Sequence, residues 1–182
     1  MSIIRLAFQA ARIQMAIHSD PIAYARSVGV NVGSNCRFLG VKAGTFGSEP
    51  FLISIGDHVT ITSGVRFVTH DGGVWVFRQG EPDIDVFGPI RIGSNVFIGI
   101  NSIVMPGATI GSNCVIGAGS VVTRDIPEGT VAAGVPAKIL ASIDEYCART
   151  HTKSVNIGSL DASQKRHFLE SKYPVSVGIE RK

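Results

Sequence analysis

The chain has 182 residues, 45% hydrophobic and 17% charged, with a formal net charge of +3. That length carries one domain of ordinary size. No apolar run reaches the roughly 18 residues of a membrane span, and no lysine–arginine cluster argues for nucleic acid as a partner. Three cysteines, Cys36, Cys114 and Cys147, form no CxxC pair and no metal-ligand spacing, a usage that suits a reducing cytoplasm, where we expect the protein to work.

Residues 2–18 are expected to form an amphipathic helix. Ile3, Leu6, Ala10, Ile13 and Ile17 fall three or four apart, and Arg5, Gln9, Arg12 and Gln14 occupy much of the remainder. Arg5 and Arg12 interrupt the apolar stretch, which argues against a signal peptide. The helix is expected to pack on the body of the domain or on a neighbouring subunit, with weak peripheral membrane contact as the alternative. Asp20-Pro21 ends it, and residues 1–22 form the N-terminal segment.

From Val32 the pattern changes to a period of six. VGSNCR and FLGVKA, beginning at Val32 and Phe38, are weak units, and Gly44 to Pro50 breaks the phase. IGDHVT, ITSGVR and FVTHDG restore it with first positions Ile55, Ile61 and Phe67. Residues 72–91 obey no such period; they hold the only tryptophan, Trp75, and the acids Glu81, Asp83 and Asp85. Then IGSNVF, IGINSI, VMPGAT, IGSNCV, IGAGSV and VTRDIP run from Ile92 to Pro127 with nothing inserted or lost. Their first positions are all branched aliphatic: Ile92, Ile98, Val104, Ile110, Ile116 and Val122. Their fifth positions are small or aliphatic: Val96, Ser102, Ala108, Cys114, Ser120 and Ile126. After Pro127 the phase slips by three residues, and VAAGVP and AKI are expected to complete the last coil.

This period matches neither a helix nor a long alternating strand. It suits a chain that runs straight for a few residues, turns, and repeats, so that three hexads close a triangular coil. Successive coils then stack as parallel strands roughly 4.8 Å apart. First-position side chains fill the prism, fifth positions lie near the corners, and glycines near the turns take backbone angles that strain other residues. A solenoid tolerates insertion at a corner, and such insertions commonly build a site. Residues 144–152 and 160–172 are expected to be short helices, the second with a Ser159 cap, covering the open end of the prism. PVSVGIERK at the C-terminus is left unassigned.

The hexads, followed by VAAGVPAKI and preceded by THDG ahead of a long insertion, resemble the hexapeptide-repeat acyltransferases, most closely the polysaccharide and lipopolysaccharide O-acetyltransferases. The resemblance covers roughly residues 30–150. It implies a mostly β fold, a left-handed parallel β-helix, over residues 30–141. An insertion spans residues 72–91 and a C-terminal helical extension spans 142–182. It also implies a homotrimer with active sites between subunits and acetyl-CoA as co-substrate. The flat faces fit such an assembly: between Ile92 and Ile139 only Arg124, Asp125, Glu128 and Lys138 are ionised.

Acyl transfer from a thioester to a hydroxyl needs a base, and imidazole serves that role near neutral pH. Of five histidines, His18, His58, His151 and His167 read as surface or structural. His70 stands where the regular coil opens into the insertion, and THDG resembles the active-site histidine segment of the family. A carboxylate on the other ring nitrogen would fix its tautomer; Asp71, Glu81, Asp83 and Asp85 are the candidates, or a main-chain carbonyl. Trp75 and the same acids are also candidates for acceptor binding. In the resembling enzymes the cofactor arm lies along exposed coil backbone, which demands small residues: Gly99, Gly117, Ala118 and Gly119 meet that demand. Thr123 and Arg124 follow on the next coil, with Ala133, Pro136 and Lys138 in the AGVPAK turn. Arg124 and Lys138 are the expected phosphate partners. No metal site is expected, because residues 71–150 contain no histidine.

The expected activity is therefore transfer of an acetyl group to a sugar hydroxyl in cell-surface polysaccharide or lipopolysaccharide biosynthesis, with a sugar or nucleotide-sugar acceptor. N-acetylation of an amino sugar, free or nucleotide-linked, is the alternative within catalysis. A non-catalytic hexapeptide scaffold or binding module is the alternative outside it.

Overall fold

The computed structural model describes residues 3–174. The chain divides into two compact units, Met1–Cys147 and Ala148–Lys182. Helix α1 (Ile3–Ser19) buries Ile17 and half-buries Ile13, while Leu6, Phe8 and Met15 stay exposed. Asp20 ends α1 and also starts a second helix that the sequence reading did not foresee, α2 (Pro21–Ser27). Its carboxylate accepts from the Ile22 and Ala23 N–H groups, both at 2.9 Å, and Pro21 fills the first turn without needing a donor. The Arg26 guanidinium of α2 donates to the Val32 and Gly33 carbonyls at 2.9 and 2.8 Å, which ties the helix to the first strand.

The body is a stack of short strands. In chain order they are β1 (Asn31–Val32), β2 (Arg37–Phe38), β3 (Ile53–Ile55), β4 (Val59–Ile61), β5 (Arg66–Phe67), β6 (Ile90–Ile92), β7 (Val96–Ile98), β8 (Ile103–Val104), β9 (Thr109–Ile110), β10 (Cys114–Ile116), β11 (Val121–Val122), β12 (Thr130–Ala133) and β13 (Lys138–Ser142). They fall into three sheets: β1-β3-β6-β9, β2-β4-β7-β10-β12-β13, and β5-β8-β11. From β3 to β11 the chain visits first, second and third sheet in rotation, always pairing in parallel, as a β-helix does.

Register explains the hexad. Ile55, Ile92 and Ile110 stack in the first sheet, and Ile61, Ile98 and Ile116 in the second. All twelve first- and fifth-position residues from Ile92 to Ile126 are buried. Burial of each isoleucine or valine contributes about 1.5–3 kcal/mol. The final hexad departs from the count. Ile126 pairs with Ile110 and Ala132 with Ile116, so the phase slips before Ile126 rather than after Pro127. Gly134 and Ala137 still complete the coil: Val121 N–H donates to the Gly134 carbonyl at 3.0 Å, and Ala137 N–H to the Val121 carbonyl at 2.8 Å. Lys138 and Ile139 leave it and enter β13, which runs antiparallel to β12 and closes that edge of the second sheet.

The corners also assign the glycines differently from expectation. The strained backbone lies at the fourth hexad position, where Asn95, Asn101, Gly107, Asn113 and Gly119 all have φ between 56° and 81°. Asparagine and glycine are the residues that adopt this left-handed region at least cost. The second-position glycines are needed for close approach instead. A Cβ on Gly93 would lie 2.6 Å from the Ser112 nitrogen, and one on Gly99 would lie 2.5 Å from the Ala118 nitrogen. On one corner the fourth-position side chains form a ladder: His58 Nδ1 lies 2.9 Å from Asn95 Oδ1, Asn95 donates to Asn113 at 2.8 Å, and Asn113 donates to Glu128 at 3.2 Å.

Beyond β13 come α3 (Ile143–His151) and α4 (Ala162–Lys172). The cap of α4 is Asp161 rather than Ser159: its carboxylate accepts from Gln164 N–H, and the Gln164 side chain accepts from Asp161 N–H. The closing segment beyond Pro174 lies outside the described residues.

Candidate active site

The phase break at Gly44–Pro50 positions the site. The main chain of this loop takes the place that a strand would occupy beneath β5: Phe67 N–H donates to the Thr45 carbonyl at 2.9 Å, and the Phe46 ring stacks on Phe67 with centroids 5.8 Å apart. The loop therefore delivers Glu49 beneath the end of β5. Glu49 Oε2 accepts from the hydroxyl of fully buried Thr69 at 2.6 Å and lies 3.1 Å from His70 Nδ1. Chiefly because of the Thr69 hydroxyl, and then through His70, the Glu49 carboxyl is held below its ordinary value of 4.5, partial burial opposing. An ionised Glu49 can only accept, so the His70 proton sits on Nδ1 and Nε2 carries the free lone pair.

The insertion is closed at its neck. His70 and Phe87 form an antiparallel bridge, with Asp71 N–H donating to Val86 and Gly88 N–H donating to Thr69, each at 2.9 Å. The Phe87 ring meets the imidazole edge-on at 6.2 Å. Inside the neck a single 3₁₀ stretch, Gly72–Phe77, is capped by Asp71, whose carboxylate accepts from Gly73 N–H at 2.8 Å. Arg78 pairs with Asp85 across the insertion, and its Nε is buried without a partner among the described residues. Glu49, His70, Asp71, Trp75, Arg78, Asp85 and Phe87 thus face one cleft of about 290 Å³.

Of the predicted residues, the structure gathers His70, Asp71, Trp75 and Asp85 at this cleft; Glu81 and Asp83 are exposed and do not line it. None of the four acids predicted to orient His70 does so. Asp71 is taken up by the helix cap and Asp85 by Arg78, and the orienting group is Glu49, which sequence reasoning missed.

The residues expected on the cofactor path occupy two corner rows that border the third sheet. Gly99, Gly117, Ala118, Gly119 and Ala133 form the row before it, each coil's corner resting on the next. Thr123 and Arg124 follow β11 on the opposite side, where Thr69 and His70 follow β5. Between the rows the outward residues of the sheet are Arg66, Ile103 and Val121, in register, with Ala137 N–H donating to Val121 at 2.8 Å. Ala118, Gly119, Thr123, Arg124, Pro136 and Lys138 are exposed. Gly99 is buried, and Gly117 fits beneath Ala133, so these two serve coil contact. No group of three or more histidine, cysteine or carboxylate side chains among the described residues could hold a metal ion.

Comparison with known proteins agrees with this architecture. The family model described as bacterial transferase hexapeptide (six repeats) matches residues 89–124. Protein CapG of Staphylococcus aureus is 55% identical over 148 residues, covering 81% of this chain and 86% of that protein. The galactoside O-acetyltransferase of Escherichia coli K12 is 38% identical over 111 residues, 61% of this chain and 54% of that protein, so this chain spans about half its length. The solved structure of a hexapeptide-repeat-containing acetyltransferase from Vibrio cholerae matches with a TM-score of 0.56 at 27% identity, covering 78% of this chain and 92% of that one. With repeats in register and 55% identity to CapG over a stretch that covers most of both chains, the chain belongs to the hexapeptide-repeat acetyltransferase family.

Proposed function

We propose that the protein transfers an acetyl group from acetyl-CoA to a sugar hydroxyl, in the assembly of a cell-surface polysaccharide or lipopolysaccharide. The observation that carries this reading is the Glu49–His70 pair at the neck of the insertion, facing an open cleft. The likeness to a galactoside O-acetyltransferase supports a sugar hydroxyl as acceptor. The coil is left-handed in this reading, and three copies assemble so that a neighbouring prism supplies the second wall of the groove.

In the mechanism, acetyl-CoA lies along the third sheet with its thioester at His70. Ala118 and Gly119 leave room for the arm, and Arg124 and Lys138 meet the phosphates. The acceptor hydroxyl stands against His70 Nε2. Its oxygen attacks the thioester carbonyl carbon as Nε2 takes the proton, and a main-chain N–H at a coil corner stabilises the oxyanion. The carbon–sulfur bond then breaks, and the imidazolium returns the proton to the departing thiolate. Glu49 favours the imidazolium throughout. The candidate nucleophiles Cys114 and Ser120 belong to the core, and Ser120 Oγ donates to the Gly117 carbonyl at 2.6 Å. Transfer is therefore direct, within a ternary complex.

His70→Ala tests the reading. Turnover should fall about 10²–10⁴-fold, the usual worth of positioned proton transfer, while acetyl-CoA still binds. Near-normal turnover, or a trapped acetyl-enzyme, would refute it.

A further inference from the structure

His70 also lines a second cleft, to which no residue of the insertion contributes. About 200 Å³ in size, it is bounded by Gly44, Gly47, Arg66 and Thr69 as well as His70. A larger space of about 450 Å³ adjoins it through Gly44 and Arg66, which line both, and reaches Lys42, Asn101 and Gln14 of α1. No acidic residue lines either space, in contrast to the cleft on the Glu49 side. The cations Arg66 and Lys42 are exposed, and their side chains have no ion-pair or hydrogen-bond partner among the described residues.

Two glycines border this passage. Gly44 lies against the Arg66 guanidinium, whose Nη1 would be 3.8 Å from a Cβ at that position. Gly47, at φ +66°, is pressed onto β5, and a Cβ there would lie 2.8 Å from the Phe67 carbonyl oxygen. The main chain thus runs tight under the strand, and the guanidinium stands free above it beside the base.

A cation sharing a cleft with His70, as Arg66 does, is poorly placed for the phosphates of coenzyme A. When its thioester meets the base, its phosphates lie a full pantetheine arm away. An acceptor sugar is different, because a phosphate on its anomeric carbon sits on the same ring as the hydroxyl under attack. We infer that Arg66 and Lys42 form the anion site of the acceptor, and that the acceptor is a sugar carrying a phosphate or diphosphate on its anomeric carbon rather than a neutral free sugar. The inference rests on the proposed acetyl transfer and narrows its acceptor. A guanidinium fork suits phosphate oxygens, and Lys42 adds a second charge farther along the passage, where the second phosphate of a diphosphate would reach.

Inorganic pyrophosphate, titrated calorimetrically into the protein with coenzyme A at saturation, tests the site apart from turnover. Native protein should bind it, and Arg66→Gln should bind about tenfold or more weakly, the loss expected for hydrogen bonds to a charged group. Arg91→Gln, which removes a surface charge from the first sheet, should bind as native does. Equal affinity in native and Arg66→Gln protein, or no binding at all, overturns the inference.

Thiol release then compares sugar 1-phosphates with methyl glycosides of the same sugars. Native enzyme should favour the phosphates, and the preference should shrink in Arg66→Gln. If methyl glycosides or uronates serve as well, the acceptor class is wrong while acetyl transfer stands. If no acceptor releases thiol, acetyl transfer itself fails and the titration alone decides the anion site. Nucleoside diphosphate sugars set against polyprenyl diphosphate sugars identify the carrier.

Discussion

Glu49 and His70, 21 residues apart, meet at 3.1 Å because the first coil lacks a regular third strand. The loop that replaces it carries the carboxylate to Nδ1 of the ring, leaving Nε2 free. Glu49→Gln keeps the shape and removes the charge. Turnover should fall about 10- to 10³-fold, since the imidazolium loses its counter-charge and the tautomer its orienting group. The KM for acetyl-CoA should not move, and Glu49→Asp should recover part of the rate. Rates equal to native in Glu49→Gln would remove Glu49 from the mechanism.

The same carboxylate makes stability depend on pH in a defined direction. Its folded value is depressed, first by the Thr69 hydroxyl, so its contribution is present above the ordinary value of 4.5 and is lost as pH falls through the folded value. The difference in Tm between native and Glu49→Gln protein should therefore be largest near neutrality and close on acidification below that range. A gap that widened in acid would contradict the assignment of an ionised Glu49.

The coil stack was legible from Ile92 to Val122 because one physical rule, burial at the first and fifth positions, repeats without interruption. It failed at Ile126 and Lys138, where the stack ends and pairing partners replace periodicity as the deciding force. His70 could be read from its place before an insertion. Glu49 could not be read from local sequence, because its role comes from stacking between coils. Counting coils offers a signal, however: whatever follows β2 must pass beneath β5, and the acid in that loop is Glu49. The second-position glycines show the opposite error. Their pattern was visible, but they serve close contact between coils, while Asn95, Asn101 and Asn113 carry the positive φ.

That division predicts two different mutational costs at the corners. Asn113 has φ +57° and links Asn95 to Glu128, so Asn113→Ala loses the ladder and strains the backbone, at a cost of about 1–2 kcal/mol for the strain alone. Asn113→Gly loses the ladder without the strain. Chemical denaturation should rank native above Asn113→Gly, and Asn113→Gly above Asn113→Ala. The reverse order of the two variants would place the turn elsewhere.

Ala118 and Gly99 stand one coil apart and should respond in opposite ways. Ala118 is exposed on the corner row, so Ala118→Trp should block acetyl-CoA by bulk while leaving the melting curve unchanged. Gly99 is buried, and a Cβ there would lie 2.5 Å from the Ala118 nitrogen, so Gly99→Ala should cost about 1–3 kcal/mol of stability by overpacking. Isothermal titration beside thermal melts separates the two. Unchanged acetyl-CoA affinity in Ala118→Trp would move the path off this row.

The last expectation is a trimer held partly by the insertion. Trp75, Val76 and Phe77 are 73%, 73% and 56% exposed in the single chain. Trp75 borders the His70 cleft; Val76 and Phe77 are not among the residues that line it. A run of large apolar groups left in water is unfavourable, and burial against a neighbouring prism would recover about 25 cal/mol for each Å² covered. Three flat faces favour a closed cyclic assembly over a dimer. Sedimentation equilibrium should give three copies for the native protein, and Val76→Asp with Phe77→Asp should shift the balance toward monomer by placing two carboxylates in that contact. If a neighbouring prism forms the second wall of the groove, acetyl-CoA affinity should fall in step with the trimer fraction. A native monomer that transfers acetyl at full rate would overturn both the assembly and the shared groove.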